Sequence, residues 1–572
     1  MPPAESPYAA RPWLAHYGDV PHSLRYPEAT LYQALMRTVE RLPDALALDF
    51  LDHQVTYRAL GDAVDRCASA LQSLGVRRGD RLLVATPTCP QGVIGVYAAN
   101  RLGAVAALVH PLSTPDELTH FLDVTGARVV LTLDAFYGKF AGLRPARPLE
   151  AIVVARIKDY LRGLRRVGYA WKFGRKIPRV PPDPRVRWWS EFLDAAPLAS
   201  PTVGEPDDLA VIMFSGGTTG LPKAIMLSNR NLISEGMMVV AWMGMREGDR
   251  VLAIMPLFHG FGFGGCINAP FLCGGAAVMV PTFTPHSVAE LIRTKRPNMV
   301  GGVPTLFDAL SRDPSLQGVD LSCLRATVSG ADRLPRPVKE RFEALVAAGG
   351  GNVRLVEGYG LTETVTGVLL MPRHEYREGS IGLPFPDMLA AICRPGTCDE
   401  VPVGEEGEIC LAGPPVMLGY LGDAAATAEA LRRHPDGRTW LHTGDLGRMD
   451  ADGFFYFTCR LKRMIKSSGF NVYPAQVEEV LQAHPAVQEA CVIGVPDPAQ
   501  VERVVAVVAL KEPARGGPDM ARELIEHCRA RLIKWSCPRE VEFVAELPKT
   551  KLGKVDFGAL ARREREPAHA PG

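Results

Sequence analysis

The run from Phe214 to Lys223 (FSGGTTGLPK) constrains the fold of this chain more than any other stretch. Just before it, Leu209–Phe214 (LAVIMF) is an unbroken apolar run of strand length, the mark of a buried strand. Glycines let successive backbone N–H groups turn inward and form an anion-binding nest. Ser215, Gly216, Gly217, Thr218, Thr219 and Gly220 offer N–H and hydroxyl donors, and Lys223 adds a point charge. That donor set suits a polyphosphate. It is not a Walker A loop, which ends in Gly-Lys-Ser/Thr and opens a helix. Here Leu221-Pro222 precede Lys223 and Ala224 follows. An ordinary surface turn draws on the same residue types, so the rest of the chain has to decide.

At 572 residues the chain exceeds what one hydrophobic core usually organises, and two or more domains are expected. Its net charge of +1 implies no global pull toward nucleic acid. The twelve cysteines include no CxxC pair. The closest two, Cys393 and Cys398, have a spacing that does not suggest a zinc site, and free thiols suit a reducing compartment. The N-terminus lacks a basic segment followed by an apolar one, so no signal peptide is expected and the cytoplasm is the default.

From Val251 to Ala289 there is no Asp, Glu, Lys or Arg. The length would permit a membrane span. Six glycines, with Pro256, Pro270 and Pro281, should interrupt any helix there. The expectation is two short buried strands, Val251–Met255 and Ala276–Val280, flanking a buried glycine-rich segment. That segment contains a formal GxGxxG (Gly260 to Gly265), but no acidic residue follows about twenty positions on, which argues against a Rossmann site.

Strand candidates at Arg81–Ala85, Arg128–Leu133 and Ala151–Val154 alternate with helix candidates at Leu31–Arg41 and Tyr57–Leu74. Such alternation predicts an α/β fold with mostly parallel sheets covered by helices. From about 386 to 459, short strands and Gly/Pro turns predict a small β subdomain. A distinct C-terminal piece follows.

The loop resembles the phosphate-binding signature of the adenylate-forming superfamily, which includes acyl-CoA synthetases, luciferases and nonribosomal adenylation domains. Four more stretches match in order: Gly358-Tyr359-Gly360-Leu361-Thr362-Glu363, Thr443-Gly444-Asp445, Arg460-Leu461-Lys462 through Lys466-Ser467-Ser468-Gly469-Phe470, and Pro548 to Lys554. The resemblance covers nearly the whole chain. It implies a large N-terminal AMP-binding domain (1–459), a hinge (460–462, with Lys462 the pivot) and a small mobile α+β lid (463–572).

The implied chemistry has two halves. A carboxylate attacks the α-phosphate of ATP, giving acyl-AMP and pyrophosphate. The thiol of CoA then displaces AMP. Two anions must meet, so positioning and charge neutralisation supply most of the catalysis. By resemblance, Lys554 on the lid bridges the attacking carboxylate and the α-phosphate. Glu363 is the Mg²⁺ ligand, and Thr362 reaches the α-phosphate region. Tyr359, with Gly360, lies against adenine, and Ser329-Gly330-Ala331 form the opposite wall. Asp445 holds both ribose hydroxyls, assisted by Arg460. Lys466, Ser467, Ser468, Gly469 and Phe470 serve the CoA step. Cys459 and Phe557 stand where relatives carry other residues.

His259 is expected near the substrate carboxylate, with Phe261, Gly301, Gly302 and Pro304 lining the acyl pocket. The absence of charge from 251 to 289 suits a fatty acid better than an amino acid, whose ammonium needs a carboxylate partner. Arg156 to Arg187 holds eleven Lys/Arg against two Asp. Ile157, Tyr160, Leu161, Leu164 and Trp171 fall on one helical face there, with Trp188 and Trp189 adding interfacial aromatics. That pattern suits peripheral contact with an anionic membrane, or a solvated basic face. Together with Arg11–Tyr17, it is most similar to long-chain fatty acid–CoA ligases of bacterial type. The expected function is therefore medium- or long-chain fatty acyl-CoA synthesis. The alternatives are a fatty acyl-AMP ligase loading a carrier protein, a coumarate-type aryl-CoA ligase, and a catalytically silent scaffold.

Overall fold

The computed structural model describes residues 6, 8–161, 163–174, 176–199, 201, 203–215, 222–280, 284–467, 470–497, 500–549 and 555–563. Two large sheets carry the N-terminal part. One has eight strands, six of them parallel (Leu209–Phe214, Val105–Leu108, Arg81–Ala85, Val129–Leu133, Ala151–Ala155, Val186–Trp188). The antiparallel strands Ala224–Ser228 and Gly419–Tyr420 extend its other edge. The second sheet has nine strands, with Leu46–Phe50, Ala276–Met279, Arg250–Ala253, Met299–Gly302, Ala326–Ser329 and Leu355–Gly360 parallel at its centre. Most of these strands are buried on both faces and read as near-continuous apolar runs.

The helix Pro90–Arg101 is buried along its whole length, beneath Tyr57–Ser73. The helix Asn229–Met243 leaves the phosphate-loop hairpin through a reciprocal cap between Ser228 and Asn231. The β subdomain is a five-stranded antiparallel sheet built from Leu389–Cys393, Gly407–Ala412, Leu431–Arg433, Thr439–Met449 and Phe455–Arg460. The C-terminal part has its own five-stranded sheet and its own buried cluster, including Ile465, Val477, Val492, Val504 and Leu524. An Arg333–Glu479 ion pair of 2.6 Å and a Tyr473–Glu406 hydrogen bond join it to the N-terminal part.

Three expectations need correction. The glycine-rich segment after Ala253 does not stay irregular. It forms a π-helix, Phe261–Asn268, running into Ala269–Cys273. The glycines permit close packing rather than breaking the helix. A Cβ at Gly260 would lie 1.6 Å from the Val365 carbonyl oxygen, and one at Gly262 would lie 2.0 Å from that of Pro256. The basic segment is not one helix either: a turn at Ile157–Tyr160 is separate from the helix Gly163–Lys172. Tyr160 and Leu161 are buried while Trp171 is 75% exposed, so they share no face. Trp189 is a core residue stacked on Phe192, not an interfacial one. No helix among the described residues is long and apolar enough to cross a membrane.

Candidate active site

The phosphate-loop run is the tip of a β-hairpin. Strands Leu209–Phe214 and Ala224–Ser228 pair down to Phe214 opposite Ala224. The Ser215 N–H donates to the Lys223 carbonyl (3.0 Å), and the Lys223 N–H donates to Ser215 Oγ (3.2 Å). Ser215 and Lys223 are thus pinned at the mouth of the loop. Gly216, Gly217, Thr218, Thr219 and Gly220 lie outside the described residues.

The edge strand Gly419–Tyr420 sets Tyr420 opposite Ile225. Lys223 Nζ sits 4.6 Å from the centre of the Tyr420 ring, a cation–π contact. The Tyr420 hydroxyl donates to Glu363 Oε1 at 2.9 Å. One aromatic side chain therefore ties Lys223 to Glu363. The Met417 N–H fixes the Glu363 carbonyl at 2.8 Å. Burial and the Glu363 charge push the Tyr420 hydroxyl pKa far up, so it remains a donor. The motif reading missed Tyr420, because its role depends on strand pairing.

Glu363 stands in the turn Thr362–Thr364, after the strand Leu355–Gly360. Val365 follows at φ 67° and ψ −63°, and the Thr366 N–H donates to the Thr364 carbonyl at 2.8 Å. That is a γ-turn of the rare hand, strained for a β-branched residue. The strain is held in place by Gly260 and Gly264, which pack on the Val365 backbone and side chain respectively.

Tyr359, Asp445 and Arg460 form a second group. The Tyr359 hydroxyl donates to Asp445 Oδ2 at 2.7 Å, and Arg460 Nε lies 3.3 Å from Oδ1. Asp445 and Arg460 face one another across two antiparallel strands. Asp445 is buried. Burial raises its pKa, while Arg460 and Tyr359 pull it back toward the ionised form. Burial also raises the Tyr359 pKa, and the Asp445 charge adds to it. The Tyr359 ring tilts beside Phe457 at 6.3 Å.

Ser329 pairs with Gly302, and the Gly330 N–H donates to the Gly302 carbonyl at 3.0 Å. Ala331 turns the chain at φ 70°. The Phe261 ring lies on Gly301, where a Cβ would come within 2.6 Å of it, and reaches toward Gly330. The expected acyl wall and adenine wall therefore meet at one ring. His259 Nδ1 accepts the Phe261 N–H at 3.2 Å, and Pro304 opens the helix Pro304–Arg312. Glu235, on the helix Asn229–Met243, was not singled out from the sequence. It is fully buried against Gly264, and among the described residues neither carboxyl oxygen has a hydrogen-bond partner. Burial drives its pKa well above the usual carboxylate range, which favours the protonated form.

Among the described residues, the candidates for the CoA step are not brought to these groups. Lys466, Ser467 and Phe470 form a strand pair in the C-terminal sheet, where the Lys466 N–H donates to Glu502. Ser468, Gly469 and Lys554 lie outside the described residues. Lys549, nearer the described end of the same run, pairs with Glu489.

The family models decide the classification: the AMP-binding enzyme model matches residues 35–421, and the AMP-binding enzyme C-terminal domain model matches 476–554. The chain belongs to the AMP-binding enzyme family. Among its relatives is a long-chain-fatty-acid–CoA ligase of Bacillus subtilis, 36% identical over 568 residues, covering 98% of this chain and 99% of that one. A feruloyl-CoA synthase of an Amycolatopsis species is 35% identical, covering 92% of this chain and 98% of its own length. The crystal structure of ATP-bound MatB from Rhodopseudomonas palustris superposes with a TM-score of 0.78 at 26% identity, covering 94% of this chain and 99% of that one. The protein is an enzyme of this family, and the α/β architecture expected from sequence holds.

Proposed function

We propose that the protein activates a medium- or long-chain fatty acid with ATP to acyl-AMP and pyrophosphate, then passes the acyl group to CoA with release of AMP. The Lys223–Tyr420–Glu363 chain of contacts carries this reading. It sets a cation and a carboxylate at the mouth of a glycine-rich loop, with the Asp445 pair nearby. In this scheme the loop and Lys223 hold the β- and γ-phosphates. Tyr359 and Ser329–Ala331 sandwich adenine, and Asp445 accepts from the ribose hydroxyls with Arg460 alongside. His259 and Phe261 orient the acid. Lys554 neutralises both reacting anions. Glu363 fits a hard cation: Tyr420 holds Oε1, and Oε2 can ligate Mg²⁺, which would neutralise charge on the phosphates. Lys462 is the pivot by which the C-terminal domain (463–572) swings against residues 1–459. Lys466 to Phe470 then face the CoA thiol.

A fatty acyl chain is favoured by the uncharged, buried segment after Val251 and by the Bacillus relative. Each methylene buried adds about 0.8 kcal/mol. An aromatic acid is the second reading, because the Phe261 ring on Gly301 offers a stacking face and the feruloyl-CoA synthase relative is similarly close. Pyrophosphate release with a panel of acids, each with and without CoA, separates these. Turnover confined to medium- and long-chain acids with a thioester formed supports the first. Best turnover on cinnamate-type acids establishes the second. Release without thioester points to a carrier protein as acceptor.

The helix Gly163–Lys172 exposes Val167 and Trp171. We read it as a peripheral contact to anionic lipid, sampled from the aqueous side. Trp171→Glu should lower co-sedimentation with anionic vesicles, and unchanged co-sedimentation removes that reading.

A further inference from the structure

The β subdomain gathers cysteine and histidine residues that the adenylation chemistry does not use. Cys393 ends the strand Leu389–Cys393, and Cys398 sits in the turn after it, which is closed by the Arg394 N–H donating to the Asp399 carbonyl at 2.8 Å. Cys410 lies on the neighbouring strand Gly407–Ala412. His434 follows the strand Leu431–Arg433, and His442 lies on Thr439–Met449. The spacing of Cys393 and Cys398 along the chain does not suggest a metal site. The sheet supplies the rest from three other strands.

Donor atoms of Cys393, Cys410 and His434 lie within 4.8 Å of one another, and so do those of Cys398, His434 and His442. His434 is common to both sets. Its Nε2 lies 3.0 Å from His442 Nε2. A tetrahedral ion held by imidazole nitrogens at about 2.0 Å and thiolates at about 2.3 Å has ligand-to-ligand edges of roughly 3.3–3.8 Å. The His434–His442 edge of 3.0 Å approaches that size, and within each set the donors lie no more than 4.8 Å apart.

The surroundings fix the chemistry further. His442 Nδ1 is 2.9 Å from Glu408 Oε2, which places the ring proton on Nδ1 and leaves the Nε2 lone pair facing His434. Glu408 Oε1 takes the Gly444 N–H at 2.8 Å. His434 stacks on Trp440 at 5.1 Å. Cys393, Cys410, His434, His442 and Glu408 are all buried, and none of the twelve cysteines is in a disulfide. Buried thiolates are tolerated where a cation compensates them.

We propose that this cluster is a structural site for a zinc-class divalent ion, bound by His434 and His442 through Nε2 and by thiolates of the Cys393, Cys398 and Cys410 group, with Glu408 orienting His442. Each coordinating thiol gives its proton to solvent on binding. Sulfur and imidazole donors select zinc over magnesium or calcium. The site braces the strand that carries Asp445. His442 stands just ahead of Thr443-Gly444-Asp445, and Glu408 clamps both ends of that step.

The test starts with elemental analysis of the full-length protein, purified without chelators from zinc-supplemented cells. About one zinc per chain is expected, as for closed structural sites. Cobalt-loaded protein should show the intense visible bands of a tetrahedral site and a sulfur-to-metal charge-transfer band. Both should vanish in Cys410→Ser and His434→Asn variants and persist in Cys67→Ser, a buried cysteine elsewhere. Stripping the ion should lower Tm and raise the KM for ATP several-fold, and zinc should restore both. Metal below ~0.1 per chain in the wild-type protein, with no cobalt bands, overturns the proposal and leaves a hydrogen-bonded thiol–imidazole core. That reading needs only the wild-type chain, so a variant that fails to fold does not blunt it.

Discussion

Tyr420→Phe separates the two jobs of one side chain. The substitution removes the hydroxyl that donates to Glu363 Oε1 at 2.9 Å and leaves the ring on which Lys223 Nζ rests at 4.6 Å. A hydrogen bond to a charged acceptor is worth about 1.5–3 kcal/mol. Part of that returns when water or the metal's own shell solvates the freed oxygen. The expected cost in transition-state stabilisation is therefore about 1.4–2.7 kcal/mol, or roughly 10- to 100-fold in kcat/KM for pyrophosphate release. If Glu363 ligates Mg²⁺, the loss should shrink at saturating magnesium, because the ion then orders the carboxylate. Tyr420→Ala also removes the cation–π contact and should cost about a further 0.5–2 kcal/mol. Tm should move little for the Phe variant, because the hydroxyl touches the site and not the core. Steady-state release against a magnesium titration is the assay. Phe within twofold of wild type at all magnesium concentrations, or Phe and Ala equally impaired, would refute the reasoning.

Asp445→Asn should raise the KM for ATP by roughly 10- to 100-fold, because the ribose and Arg460 lose a charged acceptor, while Tm holds or rises since the charge is costly to bury. An unchanged KM for ATP in steady-state kinetics removes the ribose assignment. Lys554→Ala should abolish adenylation by at least ~100-fold with the fold intact by circular dichroism, and wild-type rates from that variant end its catalytic role. Glu235 makes stability depend on pH. Its folded pKa is raised, so its contribution is full below the ordinary carboxylate range and falls as pH rises toward the folded value, by at most about 1.4 kcal/mol per unit. Denaturant unfolding at mildly acid and mildly alkaline pH should show that slope in wild type and not in Glu235→Gln. Equal slopes in the two proteins dismiss it.

The linear signals were strong wherever a motif is contiguous. The run before Ser215 is strand and the run after it a hairpin arm, since apolar strands bounded by glycine and proline punctuate themselves. Tyr359, Glu363, Asp445 and Arg460 each stand in a short local pattern, and the fold joins Tyr359 and Arg460 to Asp445 and Tyr420 to Glu363. The π-helix was not legible. Glycine at Gly260 and Gly262 normally signals a break, and only the backbone packed against them shows that the absence of Cβ is what lets that helix form. The basic segment misled for the opposite reason, because a helical spacing of apolar residues says nothing about whether one helix spans them.

By itself, then, the sequence determined the family and the α/β class and nominated the candidate site residues, because those rest on short-range patterns that the backbone must obey locally. Tertiary structure alone decided the contacts made by residues far apart in the chain. Tyr420 reaches Lys223 and Glu363 only because an edge strand pairs antiparallel with Ala224–Ser228. Glu235 has a raised pKa only because a glycine-lined helix closes over it. The Cys393–His442 cluster exists only because neighbouring strands in space need not be neighbours in sequence. Strand order and register set which side chains meet, and no linear spacing encodes them.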